Sequence, residues 1–153
     1  MSAVPLPHIQ YRRMRMADLP EVARLEKSLY AFPWSLGNFR DSVTAGYDCW
    51  TIAHGESVIG YAVLMVALDE AHLLNIAVAE EWHNQGLGRA FLKHMIAEAK
   101  GAGAQIVYLE VRPSNLAARH LYRSLGFQQI AIRPDYYPAA GGREDALFLG
   151  LTL

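Results

Sequence analysis

The apolar run Ile106–Val111 contains one carboxylate, Glu110, and is followed by RPSN and then by a helical pattern that ends in SLGF. Burying a lone carboxylate among apolar side chains costs free energy. Either Glu110 reaches solvent at a strand end, or it sits where a proton acceptor is needed. Asn115 and Tyr122 follow, spaced by about two helical turns, so they return to nearly the same helix face. A carboxylate that takes a proton, an amide that makes hydrogen bonds and a phenol that gives a proton are parts of a general acid–base site. Each also has an ordinary role. Asn115 fits a helix start with local hydrogen bonds, and Tyr122 fits an apolar face with Ala118 and Leu125.

A second candidate is NQGLGRA, residues 84–90. It follows a strand-like run and opens a helical one. A helix start offers unpaired N–H groups and the positive end of the helix dipole. Gly86 and Gly88 carry no side chains, so an anion such as a phosphate can approach the backbone. A P-loop would require Gly-Lys-Ser/Thr, which is missing. A dinucleotide fingerprint would require Gly or Ala where Phe91 stands. A plain glycine-containing loop remains the alternative.

Other chemistries find little support. The histidines His8, His54, His72, His83, His94 and His120 show neither His-Glu-x-x-His spacing nor paired cysteines, so no metal is expected. Each reads as a surface or packing residue. Cys49 is the single cysteine. It cannot form an intramolecular disulfide and fits a core position in a reducing compartment. A net charge of −1 gives no broad basic field, which argues against direct nucleic-acid binding. No apolar run approaches the ~18 residues of a membrane span. The N-terminal MSAVPLPH lacks the apolar core of a signal peptide and reads as a loose arm over residues 1–8. A monomeric, cytoplasmic protein is the simplest expectation.

The elements that must position these residues can be read from periodicity. Ile9–Met14 is strand-like. Asp18 can cap a helix with Pro20 in its first turn, and Ser35 can cap a second helix through about Ser42. CWTIA, VIGYAVLMVAL and EAHLLNIAV read as strands, with HGES as a hairpin turn. A helix runs from Gly86 to about Lys100. QIVYLEV is a strand, and SNLAARHLYRSLGF is a helix with Ser114 as its cap. QQIAI is a strand, RPDYYPAAGGRED a loop, and ALFLGLTL a closing strand. Three consecutive strands imply antiparallel pairing, and the strand–helix–strand unit over 71–111 implies a parallel crossover. The expectation is one α/β domain over 1–153, with a mixed, predominantly antiparallel sheet, a central parallel strand pair and helices on both faces.

NIAV, NQGLGRA, LEVRPSN and HLYRSLGF resemble the acetyl-CoA-binding motifs of the GNAT superfamily of N-acetyltransferases. AFPWS, LDEAHLLNIAV, LEVRPSN and YYPAAGGREDA narrow the resemblance to its bacterial ribosomal-protein-alanine branch, over roughly residues 12–151. The resemblance implies acetyl transfer from acetyl-CoA to the N-terminal alanine of a small-subunit ribosomal protein. It implies that the backbone of Ile76, Ala77 and Val78 pairs with the pantetheine arm. Asn84, Gln85, Gly86, Leu87, Gly88 and Arg89 would hold the pyrophosphate, and Asn115 would hydrogen-bond the cofactor. Glu110 would be the base and Tyr122 the acid, with a backbone N–H near Val78 as oxyanion donor. Phe32, Trp34, Tyr136 and Tyr137 would line the peptide groove. One departure stands out: His83 and Asn84 occupy positions where the family usually has Gln or Arg, often with a further Arg, which implies less positive charge for the phosphates. A small-amine acetyltransferase and a non-catalytic acyl-CoA-binding module remain as alternatives.

Overall fold

A computed structural model of the chain describes residues 8–153. Except for His8, the loose arm expected over 1–8 lies outside the described residues. In chain order the elements are β1 (Ile9–Arg13), α1 (Leu19–Leu29), α2 (Leu36–Thr44), β2 (Asp48–His54), β3 (Ser57–Ala67) and β4 (Glu70–Val78). They continue with α3 (Leu87–Gly101), β5 (Ile106–Val111), α4 (Leu116–Ser124), β6 (Gln128–Ala139) and β7 (Gly142–Thr152). Short 3-10 turns occur at Met16–Asp18 and Glu80–Trp82. The strands pair in the order β1-β2-β3-β4-β5-β7-β6. β4 and β5 are parallel, because α3 carries the chain back between them. The pairs β1–β2, β2–β3, β5–β7 and β6–β7 are antiparallel. The mixed, predominantly antiparallel α/β sheet is the one expected.

The chain divides into two compact units. One runs to Met65 and resumes over Asn75–Met95; the other comprises Val66–Leu74 and Ile96–Leu153. In the first, β3 is buried without interruption from Val58 to Leu64. An antiparallel strand open to water on one face would alternate, so both faces of this stretch are covered. Val22, Phe39, Ile52, Tyr61 and Phe91 are fully buried there. Ser35 caps α2 as expected: its Oγ accepts the Asn38 N–H at 3.1 Å, while Asn38 Oδ1 accepts the Ser35 N–H at 2.9 Å. Asp18 does not cap α1 with its side chain. Its carboxylate turns back to accept the Arg15 N–H at 2.8 Å and the Arg12 guanidinium at 3.0 Å. Cys49 is buried, and burial, with Asp48 beside it, pushes its thiol up to about 11.

In the second unit β5 alternates as predicted: Val107, Leu109 and Val111 are buried, while Ile106, Tyr108 and Glu110 share the other, half-buried face. Two expectations need correction. Ser114 does not cap α4; Asn115 does, through Oδ1 accepting the Ala118 N–H at 3.2 Å. RPDYYPAAGGRED is not a loop. β6 continues to Ala139, and β7 starts at Gly142 after a tight turn with Gly141 at φ +76°. β6 is the edge strand and is exposed along most of its length. Its register also shifts between Arg133 and Tyr137. Exposure removes the alternation of burial, and the bulge breaks what period is left, so no strand pattern shows beyond QQIAI.

Candidate active site

The carboxylate of Glu110 has its side chain 11% exposed. Its Oε2 lies 2.5 Å from His72 Nε2, and its Oε1 lies 3.6 Å from Arg133 Nε. The first is a short hydrogen bond; the second is an ion pair at longer range. The register explains the cluster. β4 places His72 opposite Tyr108, and β7 places Phe148 opposite Glu110. Phe148 stacks on Tyr108 with centroids 5.1 Å apart and carries the Arg133 guanidinium 4.5 Å above its ring. Glu110 is thus neither simply solvated nor alone.

Tyr136 and Tyr137 lie within electrostatic reach of this carboxylate. Burial raises the pKa of both phenols above the usual tyrosine range, and the negative charge of Glu110 adds to it. Both therefore remain protonated donors at neutral pH. Tyr137 is fixed by Arg112, whose guanidinium lies 4.4 Å from its ring centroid and donates to Pro138 O at 2.9 Å. Arg112 also pairs with Glu144 at 3.2 Å. Glu144 in turn accepts from the Ser114 N–H at 3.0 Å and the Ser114 hydroxyl at 3.1 Å. Ser114 therefore serves the β6–β7 hairpin rather than the helix end.

Asn115 spends its carbonyl oxygen on the α4 cap, which leaves its amide N–H₂ as the group suited to a ligand acceptor. Tyr122 is 8% exposed, with its ring edge-on to Phe127 at 5.6 Å.

In the other unit, β4 ends in Ile76, Ala77 and Val78, of which Ala77 and Val78 are buried. His83 Nε2 lies 2.7 Å from the Val78 carbonyl oxygen. Asn84 and Gly86 adopt left-handed backbone, φ +62° and +81°. Asn tolerates this region better than most side chains, and glycine adopts it without strain. Gln85 Nε2 donates to Glu81 O at 2.9 Å. The Gly86 carbonyl accepts from Ala90 N at 3.1 Å, starting α3. The next N–H groups, on Leu87 and Gly88, belong to the first turn, where no helical carbonyl lies four residues back. Leu87 is buried and anchors that turn.

Of the two aromatic residues in AFPWS, Phe32 is 45% exposed, while the Trp34 ring lies 5.2 Å from Phe39. The Trp34 N–H donates to Glu26 at 2.8 Å. Glu26 is buried and also accepts from the Tyr61 hydroxyl at 2.7 Å and Asn75 Nδ2 at 3.0 Å. This carboxylate, invisible as a signal within the amphipathic α1, sets the backbone of AFPWS.

A model described as the Acetyltransferase (GNAT) family matches residues 12–127. The chain belongs to the GNAT acetyltransferase family. It is 41% identical over 140 residues to the [ribosomal protein bS18]-alanine N-acetyltransferase of Escherichia coli, covering 92% of this chain and 95% of that protein. The crystal structure of the ribosomal-protein-S18-alanine N-acetyltransferase from Escherichia coli superposes with a TM-score of 0.88 at 40% identity, over 94% of this chain and 93% of that one. The structure of yncA from Salmonella typhimurium with its cofactor acetyl-CoA superposes with a TM-score of 0.77 at 22% identity, over 95% and 94%, a likeness of fold.

This GNAT acetyltransferase carries two site features that sequence reasoning missed. His72 and Arg133 flank Glu110, yet His72 reads as a surface or packing histidine and Arg133 falls in the stretch expected to be a loop. Strand alternation puts His72 on the same face as Leu74, but only the pairing of β4 with β5 brings it to Glu110. Among the described residues no helix is long and apolar enough to cross a membrane, and no group of His, Cys, Asp and Glu is arranged to hold a metal ion.

Proposed function

We propose that the protein transfers the acetyl group of acetyl-CoA to the α-amino group of an N-terminal alanine, on a small-subunit ribosomal protein of the bS18 type. The observation that carries this reading is the 41% identity to the Escherichia coli bS18-alanine N-acetyltransferase across 95% of that protein.

The glycine loop supports acetyl-CoA as the donor. A methyl group added at Gly88 would meet nothing within 4 Å, and Gly88 does not adopt positive φ. Neither packing nor backbone conformation therefore calls for glycine there. Close approach of an external group does. The loop from Asn84 to Arg89 would hold the pyrophosphate, with Leu87 and Gly88 offering first-turn N–H groups. His83 supplies a tether to β4 in place of a phosphate-facing charge. The described β4–β5 register ends at His72, and the backbone of Ile76, Ala77 and Val78 beyond it would pair with the pantetheine arm as an added strand does. Asn115 would donate its amide N–H to the same molecule. Acetyl-CoA, when bound, supplies a thioester carbonyl activated toward attack by an amine.

The chain's own residues handle protons and orientation. Glu110 would take the proton of the attacking amine, directly or through a water, and Tyr122 would give one to the leaving sulfur. A backbone N–H near Val78 would stabilise the developing oxyanion. Phe32, Trp34, Tyr136 and Tyr137 would line the acceptor groove. The demand on Glu110 is modest. An α-amino group with a pKa of about 8 is roughly a quarter neutral at pH 7.5, whereas a lysine near 10.4 is neutral in about one molecule in a thousand.

The test is acetyl transfer onto a panel of N-terminal peptides, with a blocked-terminus, lysine-only control. Alanine-first peptides are expected to be the best acceptors. Preference for the lysine control, or for small polyamines, would overturn the assignment.

A further inference from the structure

We infer that His72 is a positioning and proton-relay residue: it fixes the Glu110 carboxylate and carries away the proton that Glu110 removes from the acceptor amine. This rests on the reading of Glu110 as the base.

The geometry is specific. His72 Nε2 and Glu110 Oε2 are 2.5 Å apart, the shortest polar contact described for either residue. The parallel register places His72 beside Tyr108, one step along the same strand face from Glu110. His72 is 24% exposed and Glu110 11%, so the imidazole has the better access to water. Phe148, edge-on to His72 at 6.4 Å, backs the pair with an apolar ring.

The other charged and titratable groups around the pair cannot perform the relay. Arg133, from β6, stands 3.6 Å from Oε1 with its guanidinium held over Phe148, and arginine does not release a proton in proteins. Tyr136 and Tyr137, also from β6, hold their protons more tightly than free tyrosine because of burial and the Glu110 charge. Tyr108, on β5 itself, is stacked on Phe148. An imidazole is the side chain that both accepts and releases a proton near neutrality.

The step balances. As the amine's electron pair forms the new C–N bond and the C–S pair leaves with sulfur, the excess N–H proton passes to the Glu110 carboxylate. Between turnovers the His72 ring carries its proton on Nε2 and donates it to Oε2. Exchange with water moves that proton to Nδ1 before the transfer. The proton on Oε2 then crosses to the free Nε2, and the imidazolium gives its Nδ1 proton to water, which restores the Nε2–H form. The carboxylate is then ready for the next turnover.

The experiment measures kcat against pH for wild type, His72→Gln and Glu110→Gln on an alanine-first peptide, with thermal melts to confirm folding. Glutamine can still hydrogen-bond Glu110 but cannot carry a proton. The expected result for His72→Gln is kcat about 10- to 100-fold below wild type at pH 7, with peptide KM nearly unchanged and the deficit shrinking toward pH 9. In the ligand-free protein, Glu110→Gln is expected to move the ring-nitrogen NMR resonances of His72, while Glu56→Gln at an exposed turn leaves them in place. A His72→Gln rate equal to wild type, or a deficit of the same size at every pH, overturns the relay. If His72→Gln does not fold, His72→Asn takes its place in the same comparison. Should Glu110→Gln itself keep the wild-type rate, the base assignment fails; if only His72→Gln does, Glu110 stands and the relay alone is lost.

Discussion

His83 Nε2 lies 2.7 Å from the carbonyl oxygen of Val78, so the start of the glycine loop is fastened to the last residue of β4. The histidine stands where the family usually places a Gln or an Arg. Its described bond is structural, holding the loop in register with the strand end. His83→Ala removes one hydrogen bond of about 0.5–1.5 kcal/mol. Acetyl-CoA affinity, read by calorimetry, is expected to fall about 2- to 10-fold with little change in kcat at saturation. An unchanged Kd would show that the loop holds its shape without the tether.

Gly88→Ala separates packing from ligand approach. The added methyl meets no protein atom within 4 Å, and alanine favours helix over glycine by roughly 0.5–1 kcal/mol. Thermal stability is therefore expected to stay level or rise slightly while acetyl-CoA binding weakens at least ~10-fold. Full retention of binding would remove the pyrophosphate assignment.

Glu110→Gln is expected to lower kcat by about 10²-fold or more at pH 7, with a smaller loss at pH 9, where more of the amine is already neutral. Tyr122→Phe keeps the ring against Phe127 and removes only the hydroxyl. It is expected to lower kcat while acetyl-CoA Kd stays close to wild type. Turnover equal to wild type in either variant would remove that residue's assigned role.

Tyr137 is braced by Arg112 at 4.4 Å and, through it, by Glu144. Tyr137→Ala or Tyr136→Ala is expected to raise peptide KM about 5- to 10-fold, on the order of 1 kcal/mol, with kcat less affected. Wild-type kinetics in both variants would count against the groove.

Asp18 supplies a stability prediction with a definite sign. Burial acts to raise its pKa, but the Arg15 N–H and the Arg15 and Arg12 side chains outweigh it, and the net value is lowered. A lowered folded-state pKa contributes stability that is complete above the unfolded value near 4 and is lost as pH falls through the folded value. Since both arginines reach solvent, the cost of Asp18→Asn is about 1 kcal/mol at pH 7. Urea titrations are expected to show that gap closing toward pH 3; a gap independent of pH would contradict the account.

The sequence by itself determined the order of elements, the division of β5 into two faces, the Ser35 cap and the place of the glycine loop at the start of α3. These follow from local periodicity, from capping chemistry and from glycine's lack of a side chain. The family, too, was legible in short contiguous motifs. What only the tertiary structure decided involves residues distant in the chain. The distal part of the β6–β7 hairpin, residues 133–145, looked like a loop because an exposed, bulged edge strand leaves no alternating pattern. Asn115 rather than Ser114 caps α4, because Ser114 is taken by Glu144 from β7. Glu110 looked like a lone charge on an apolar strand. Parallel pairing with β4 gives it His72, and the antiparallel hairpin gives it Arg133. A carboxylate's partners are set by strand register, and register is a property of the folded sheet that no single segment encodes.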